Sequence, residues 1–179
     1  MKYFGIVGWK GSGKTTLVVR LLPELTGRGL VVSTLKHAHH TFDIDHPGRD
    51  SHEHRAAGAA EVMISSAKRW ALMHETGGGE EATLDDLVAK MQPADLLLVE
   101  GYKRESFSKL EVHRPEAGKS LLAPDDRNIV AIAVDQPVVD FGRPQLDLND
   151  ISAIADFIIS HCGLGIGKTE AGPTHTEHA

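Results

Sequence analysis

A chain of 179 residues, 41% hydrophobic and 25% charged, has the size and balance of a single soluble domain. Its formal net charge of -6 argues against a nonspecific nucleic-acid binder, which holds phosphates with surplus Lys and Arg. The lone Cys162 excludes an internal disulfide, no apolar run approaches the ~20 residues that span a bilayer, and no signal peptide is legible, so the cytoplasm is the expected compartment and no membrane partner is expected.

The first predicted element is a buried strand over residues 3–7, broken by Gly8. Leu17, Val18, Leu21, Leu22 and Leu25 recur at helical spacing and predict a helix over 14–25, with Pro23 loosening its last turns and Gly27 and Gly29 ending it. A second strand over 30–35 follows, and strand–helix–strand in that order predicts a parallel pair. After a polar segment, Asp50 and Glu53 fit an N-cap and its third-position partner, for a helix to Ala57. Residues 61–65 and 70–74 read as a hairpin that turns near Lys68. Gly77, Gly78 and Gly79 form a break before a short helix over 84–91.

Residues 95–99 are the plainest buried strand, running into Glu100-Gly101, and further strands are expected over 109–113 and 129–134. A last helix over 148–161 carries Ile151, Ile154, Ala155, Ile158 and Ile159 as its buried stripe. Beyond it, residues 163–179 cannot bury a core and are expected to form a disordered tail. The alternation gives an α/β class: a phosphate-loop NTPase-like three-layer fold, its mostly parallel sheet flanked by helices, plus a short antiparallel hairpin. Residues 1–162 are expected to form one nucleotide-binding domain.

Between the first strand and helix, Gly8-Trp9-Lys10-Gly11-Ser12-Gly13-Lys14-Thr15 matches the pattern G-x-x-x-x-G-K-[ST], and Thr16 completes the cradle. Gly8, Gly11 and Gly13 permit the backbone angles that turn successive N–H groups, including those at Lys10 and Ser12, round a phosphate. The helix N-terminus adds partial positive charge. Lys14 is expected to reach the β- and γ-phosphates and the Thr15 hydroxyl to hold Mg²⁺. The metal needs further oxygens or a held water. Glu100, emerging at a strand's carboxyl end, and Asp45, in the polar loop after the second strand, are the expected metal ligands and the candidate catalytic carboxylates. Asp43 is the weaker choice of its pair, and Gly101 would let its N–H approach the γ-phosphate.

The cradle, the stretch from Thr34 to Ser51 with Asp43-Ile44-Asp45-His46-Pro47-Gly48-Arg49-Asp50-Ser51, and Leu98-Val99-Glu100-Gly101-Tyr102-Lys103 together resemble the molybdopterin-guanine dinucleotide biosynthesis protein B family. The resemblance runs from Met1 to His161. It implies a homodimeric GTP-binding protein of molybdenum cofactor synthesis that assists the partner molybdopterin guanylyltransferase, has weak GTP hydrolysis of its own, and has molybdopterin as a further candidate ligand. It also supports Glu100 near Mg²⁺. Lys10 stands where many relatives are expected to carry a small polar residue.

GTP is implied by the resemblance, since the chain has no Asn-Lys-x-Asp run. Asp135, closing the strand over 129–134, is the best-placed carboxylate for the guanine edge, and a plain strand-end role before Pro137 is equally open. His37, His39, His40, His46, His52 and His54 crowd one segment and raise a rival reading, a metal-inserting GTPase with a His-rich carrier loop. A small-molecule kinase is the second rival. No arginine finger or water-orienting Gln is evident near the cradle, and Arg49 and Arg55 are the candidates to act in trans.

Overall fold

The computed structural model describes residues 1–38, 42–138 and 142–165. In chain order the elements are β1 (Lys2–Val7), α1 (Lys14–Gly27), β2 (Val32–Lys36), α2 (Asp50–Ala56), β3 (Glu61–Ser65), β4 (Trp70–His74), α3 (Leu84–Val88), β5 (Leu96–Glu100), β6 (Lys109–His113), β7 (Ile129–Val134), β8 (Gln145–Asp147) and α4 (Ile151–Cys162). They fall into two compact units, Met1–His37 with Pro93–Ala179, and Ala38–Gln92. His39, His40 and most of the expected tail, from residue 166 on, lie outside the described residues.

The first unit is a six-stranded sheet in the order β2-β5-β1-β6-β7-β8, every pairing parallel. The expected α/β class therefore stands, with one refinement. β1 and β2 are parallel but not neighbours, because β5 lies between them. That insertion makes the carboxyl end of β1 a switch point, where the chain leaves toward β2 on one side and β6 lies on the other. Such points are where open parallel sheets bind ligands.

The sheet's strands are buried because parallel strands need cover. Phe4 and Ile6 of β1, Leu96 and Leu98 of β5, and Leu110 and Val112 of β6 form one cluster with Leu17, Leu21 and Leu25 of α1 and Ile154, Ala155 and Ile158 of α4. Each of the Leu, Ile, Val and Phe side chains among them contributes about 1.5–3 kcal/mol on burial, so α1 is fixed on the strand whose loop it continues. Val7, Ile129, Ile132 and Val134 form a second, smaller cluster with Ala123, flanked by Leu121, Leu122 and Val138. Pro23 lies inside α1, yet the helix continues to Gly27. Leu21 and Leu25, on either side of it, are fully buried, and their packing outweighs the missing hydrogen bond.

The second unit holds α2, α3 and the antiparallel hairpin β3–β4, with Met63 opposite Leu72 and Ser65 opposite Trp70, as expected. The start of α2 differs from expectation. Arg49, in an extended conformation, is its N-cap, and Asp50 stands inside the first turn, where a carboxylate favours the helix dipole without capping it. Likewise α4 begins at Ile151, after Asp150, whose side chain accepts from the Ala153 N–H. The short β8 was not foreseen, since three residues after Pro144 offer no period to read.

Candidate functional site

The site begins where β1 stops. Gly8, Gly11 and Gly13 have φ of 146°, 83° and 99°, angles that an L side chain rarely adopts. Gly8 is also sterically required: a Cβ there would lie 2.4 Å from the Val112 carbonyl oxygen and 2.7 Å from the Ser12 hydroxyl. Gly13 is the N-cap of α1. It offers no side chain to cap the helix, and no acidic residue stands in the first turn. The opening N–H groups of a fourteen-residue helix are thus left for an acceptor from elsewhere. Within the loop the Ser12 N–H donates to Trp9 O, and the Ser12 Oγ is buried with no partner.

Lys14 turns back over the loop, its ammonium donating to Trp9 O at 2.9 Å. Burial pulls its pKa below the ordinary lysine value. Glu100 opposes that shift, and the neighbouring charges of Lys103 and Lys36 add to it. An anion arriving among these ammonium groups relieves their mutual repulsion. Lys10 and Thr16 are exposed. Trp9 is fastened at one end, with its Nε1–H donating to Ser120 O at 2.7 Å and the Lys103 ammonium 4.5 Å from its ring centroid.

Thr15 and Glu100, both expected near a metal, lie in direct contact. The Thr15 hydroxyl donates to Glu100 Oε1 at 2.7 Å, and the carboxylate is mostly buried. The Lys36 ammonium completes the group, 3.4 Å from Thr15 Oγ1 and 3.5 Å from Glu100 Oε1. A cation is therefore already accommodated against the two oxygens that a Mg²⁺ site would use. With the uncapped helix start and the unpartnered Ser12 hydroxyl, the residues fit a metal-bound nucleotide. Gly101 (φ 96°) donates its N–H to Ile6 O at 3.2 Å, and a Cβ there would come within 3.0 Å of His37 Cβ. Its small size lets β5 turn away beside the end of β2.

Asp135 leaves β7 at the same edge. One carboxylate oxygen pairs with Arg114, and the other is buried with no partner. Arg114, directly after β6, also donates from Nε to Ser12 O at 3.3 Å, so one arginine ties the carboxylate to the glycine loop. Asp45 belongs to the second unit. Its side chain is buried, and both oxygens face Arg55, which also holds Asp43 and Glu75. The Arg55 hydrogen bond holds the Asp45 carboxyl below the usual aspartate range. Among the described residues no cluster of three or more His, Cys, Asp or Glu is arranged to hold a metal.

Lys36 and Arg114 were not singled out from the sequence. The expected second strand stopped at residue 35, one short of Lys36, and Arg114 sits one residue beyond a strand whose end carried no motif. Extending each strand by one residue and asking what faces the glycine loop is the signal that would have found them.

Residues 3–135 match the family model described as molybdopterin guanine dinucleotide synthesis protein B. The chain is 43% identical over 156 residues to the molybdopterin-guanine dinucleotide biosynthesis adapter protein of Escherichia coli (strain K12), covering 84% of this chain and 87% of that protein. It is 42% identical over 157 residues to the protein of the same name from Haemophilus influenzae (strain ATCC 51907 / DSM 11121 / KW20 / Rd), covering 86% of this chain and 85% of that one. The crystal structure of Bacillus subtilis MobB superposes with a TM-score of 0.73 at 25% identity, covering 90% of this chain and 98% of that chain. The glycine loop and Glu100-Gly101 thus lie inside a match that spans most of the chain, which belongs to the molybdopterin guanine dinucleotide synthesis protein B family.

Proposed function

We propose that this chain binds GTP–Mg²⁺ at the loop between β1 and α1 and acts as an adaptor at the step that attaches GMP to molybdopterin. The adaptor role follows from family membership and from the curated relatives that carry it in their names. The observation that carries the nucleotide reading is the Thr15–Glu100 contact beside an uncapped helix start. The loop N–H groups and Lys14 hold the phosphates, and Thr15 and Glu100 hold the metal or its water. Bound Mg²⁺ neutralises phosphate charge.

Asp135 offers its unpartnered oxygen to the donor edge of guanine, which adenine lacks. For Asp45 to act as a metal ligand or catalytic carboxylate the mostly buried Arg55 must release it, whereas at Glu100 only the exposed Lys36 has to give way. Hydrolysis is slow in this reading, because Arg114 is committed to Asp135 and Ser12 rather than free to stabilise transition-state charge. The face of the β3–β4 hairpin bearing Met63, Trp70 and Leu72 is exposed, at 62%, 58% and 38%, which supports a homodimer built on it. The cytoplasm is the compartment proposed for a step that consumes GTP, and no described helix is long and apolar enough to cross a membrane.

Reconstitution tests the role. Added to a molybdopterin guanylyltransferase with molybdopterin and GTP–Mg²⁺, the chain raises the rate of guanine dinucleotide formation, and its Lys14→Ala variant does not. A rate indifferent to the chain at every concentration counts against the adaptor reading.

A further inference from the structure

The oxygens proposed for the metal already have a cation of the chain's own. Lys36 ends β2 in parallel register with Glu100 at the end of β5. The pair is pinned by the His37 N–H, which donates to Glu100 O at 2.9 Å. Neighbouring residues in register on parallel strands project to the same face of the sheet, so the lysine is built to reach this carboxylate. It lies 3.5 Å from Glu100 Oε1 and 3.4 Å from Thr15 Oγ1. Its side chain is 59% exposed, so the ammonium is tethered near the oxygens without being walled in.

We propose that Lys36 is an internal counter-ion of the Thr15–Glu100 pair, occupying these oxygens in the empty protein and competing with divalent metal for them. The proposal rests on the nucleotide reading above and adds a regulation to that site. An ammonium and a divalent ion cannot share the same two oxygens, because their repulsion at such distances exceeds thermal energy several-fold. When metal and triphosphate arrive together, the phosphates offer the displaced ammonium a new partner. Metal alone offers none. Lys36 therefore suppresses metal binding to the empty protein and makes metal entry conditional on nucleotide. In a metal-free complex the ammonium stays and partly replaces the missing ion.

Mn²⁺ is the probe, followed by the electron paramagnetic resonance signal of the free ion during titration of the nucleotide-free full chain. Lys36→Met binds Mn²⁺ more tightly than wild type, on the order of tenfold, and Lys36→Arg stays close to wild type. Adding Glu100→Gln to Lys36→Met removes the gain. Equal Mn²⁺ affinity in folded wild type and Lys36→Met overturns the proposal, and Lys36→Gln serves the same comparison if the methionine variant does not fold. A second arm measures GTP affinity in EDTA and in Mg²⁺. Lys36→Met loses affinity in EDTA, on the order of tenfold, and less in Mg²⁺. Equal loss in both makes Lys36 a phosphate ligand only and overturns the competition. Wild type that binds no nucleotide at all sinks the nucleotide reading, while the Mn²⁺ comparison still decides the role of Lys36.

Discussion

Lys14, Thr15 and Glu100 were legible as residues because a motif names two of them and a strand end names the third. The side chains that complete their surroundings were not. Lys36 and Arg114 act through reach across neighbouring strands, and a linear pattern does not record which strands are neighbours. At this scale Lys14→Ala lowers GTP affinity on the order of a hundredfold, the loss of charge-assisted bonds worth about 3 kcal/mol, measured by calorimetry. Glu100→Ala has a different signature. It leaves GTP binding in EDTA close to wild type and abolishes most of the gain on adding Mg²⁺; an unchanged metal titration would remove Glu100 from the site. Asp135→Asn narrows the preference for GTP over ATP in competition binding, because the amide can no longer accept from two guanine donors while keeping Arg114. A preference that survives intact assigns Asp135 to strand-end packing alone.

At the scale of elements, hydrophobic runs placed β3, β4, β6 and β7 to the residue, since apolar patterns bounded by turns are local signals. Helix starts were less legible. Asp50 as a cap was a reasonable reading of a carboxylate three before a glutamate, but extended Arg49 takes that place and leaves Asp50 in the first turn. The Gly8 turn yields the clearest element-level prediction. Gly8→Ala costs about 3 kcal/mol or more in denaturant unfolding, because the methyl meets the rigid Val112 carbonyl at an angle alanine rarely adopts. In the second unit, Arg55 gathers Asp43, Asp45 and Glu75. Asp45 titrates below its unfolded value, so its contribution is present above that value and lost as pH falls through the folded one. Thermal scans across the acid range therefore show wild type losing stability as pH drops below about 4, with a shallower loss in Asp45→Asn. Parallel curves would deny the ion pair its role.

For the whole molecule, alternating strands and helices were enough to read a parallel α/β sheet, yet not its order. The placement of β5 between β1 and β2 comes from long-range pairing, and it is this order that brings Glu100 to Thr15. The division at Ala38 and Gln92 was equally hidden, because the pairing of β2 with β5 that closes the first unit across the second is long-range. The exposed hairpin face predicts association: Leu72→Glu lowers the apparent mass from dimer to monomer in sedimentation, and a wild-type monomer at every concentration removes the proposed assembly. The most direct measurement is calorimetric titration of GTP and of ATP into the full chain, each with Mg²⁺ and with EDTA. One GTP per chain should bind, more tightly with Mg²⁺ than without and more tightly than ATP; absence of heat with either nucleotide, in wild type and Lys14→Ala alike, with equilibrium dialysis also showing no retention, would contradict a triphosphate site at this loop.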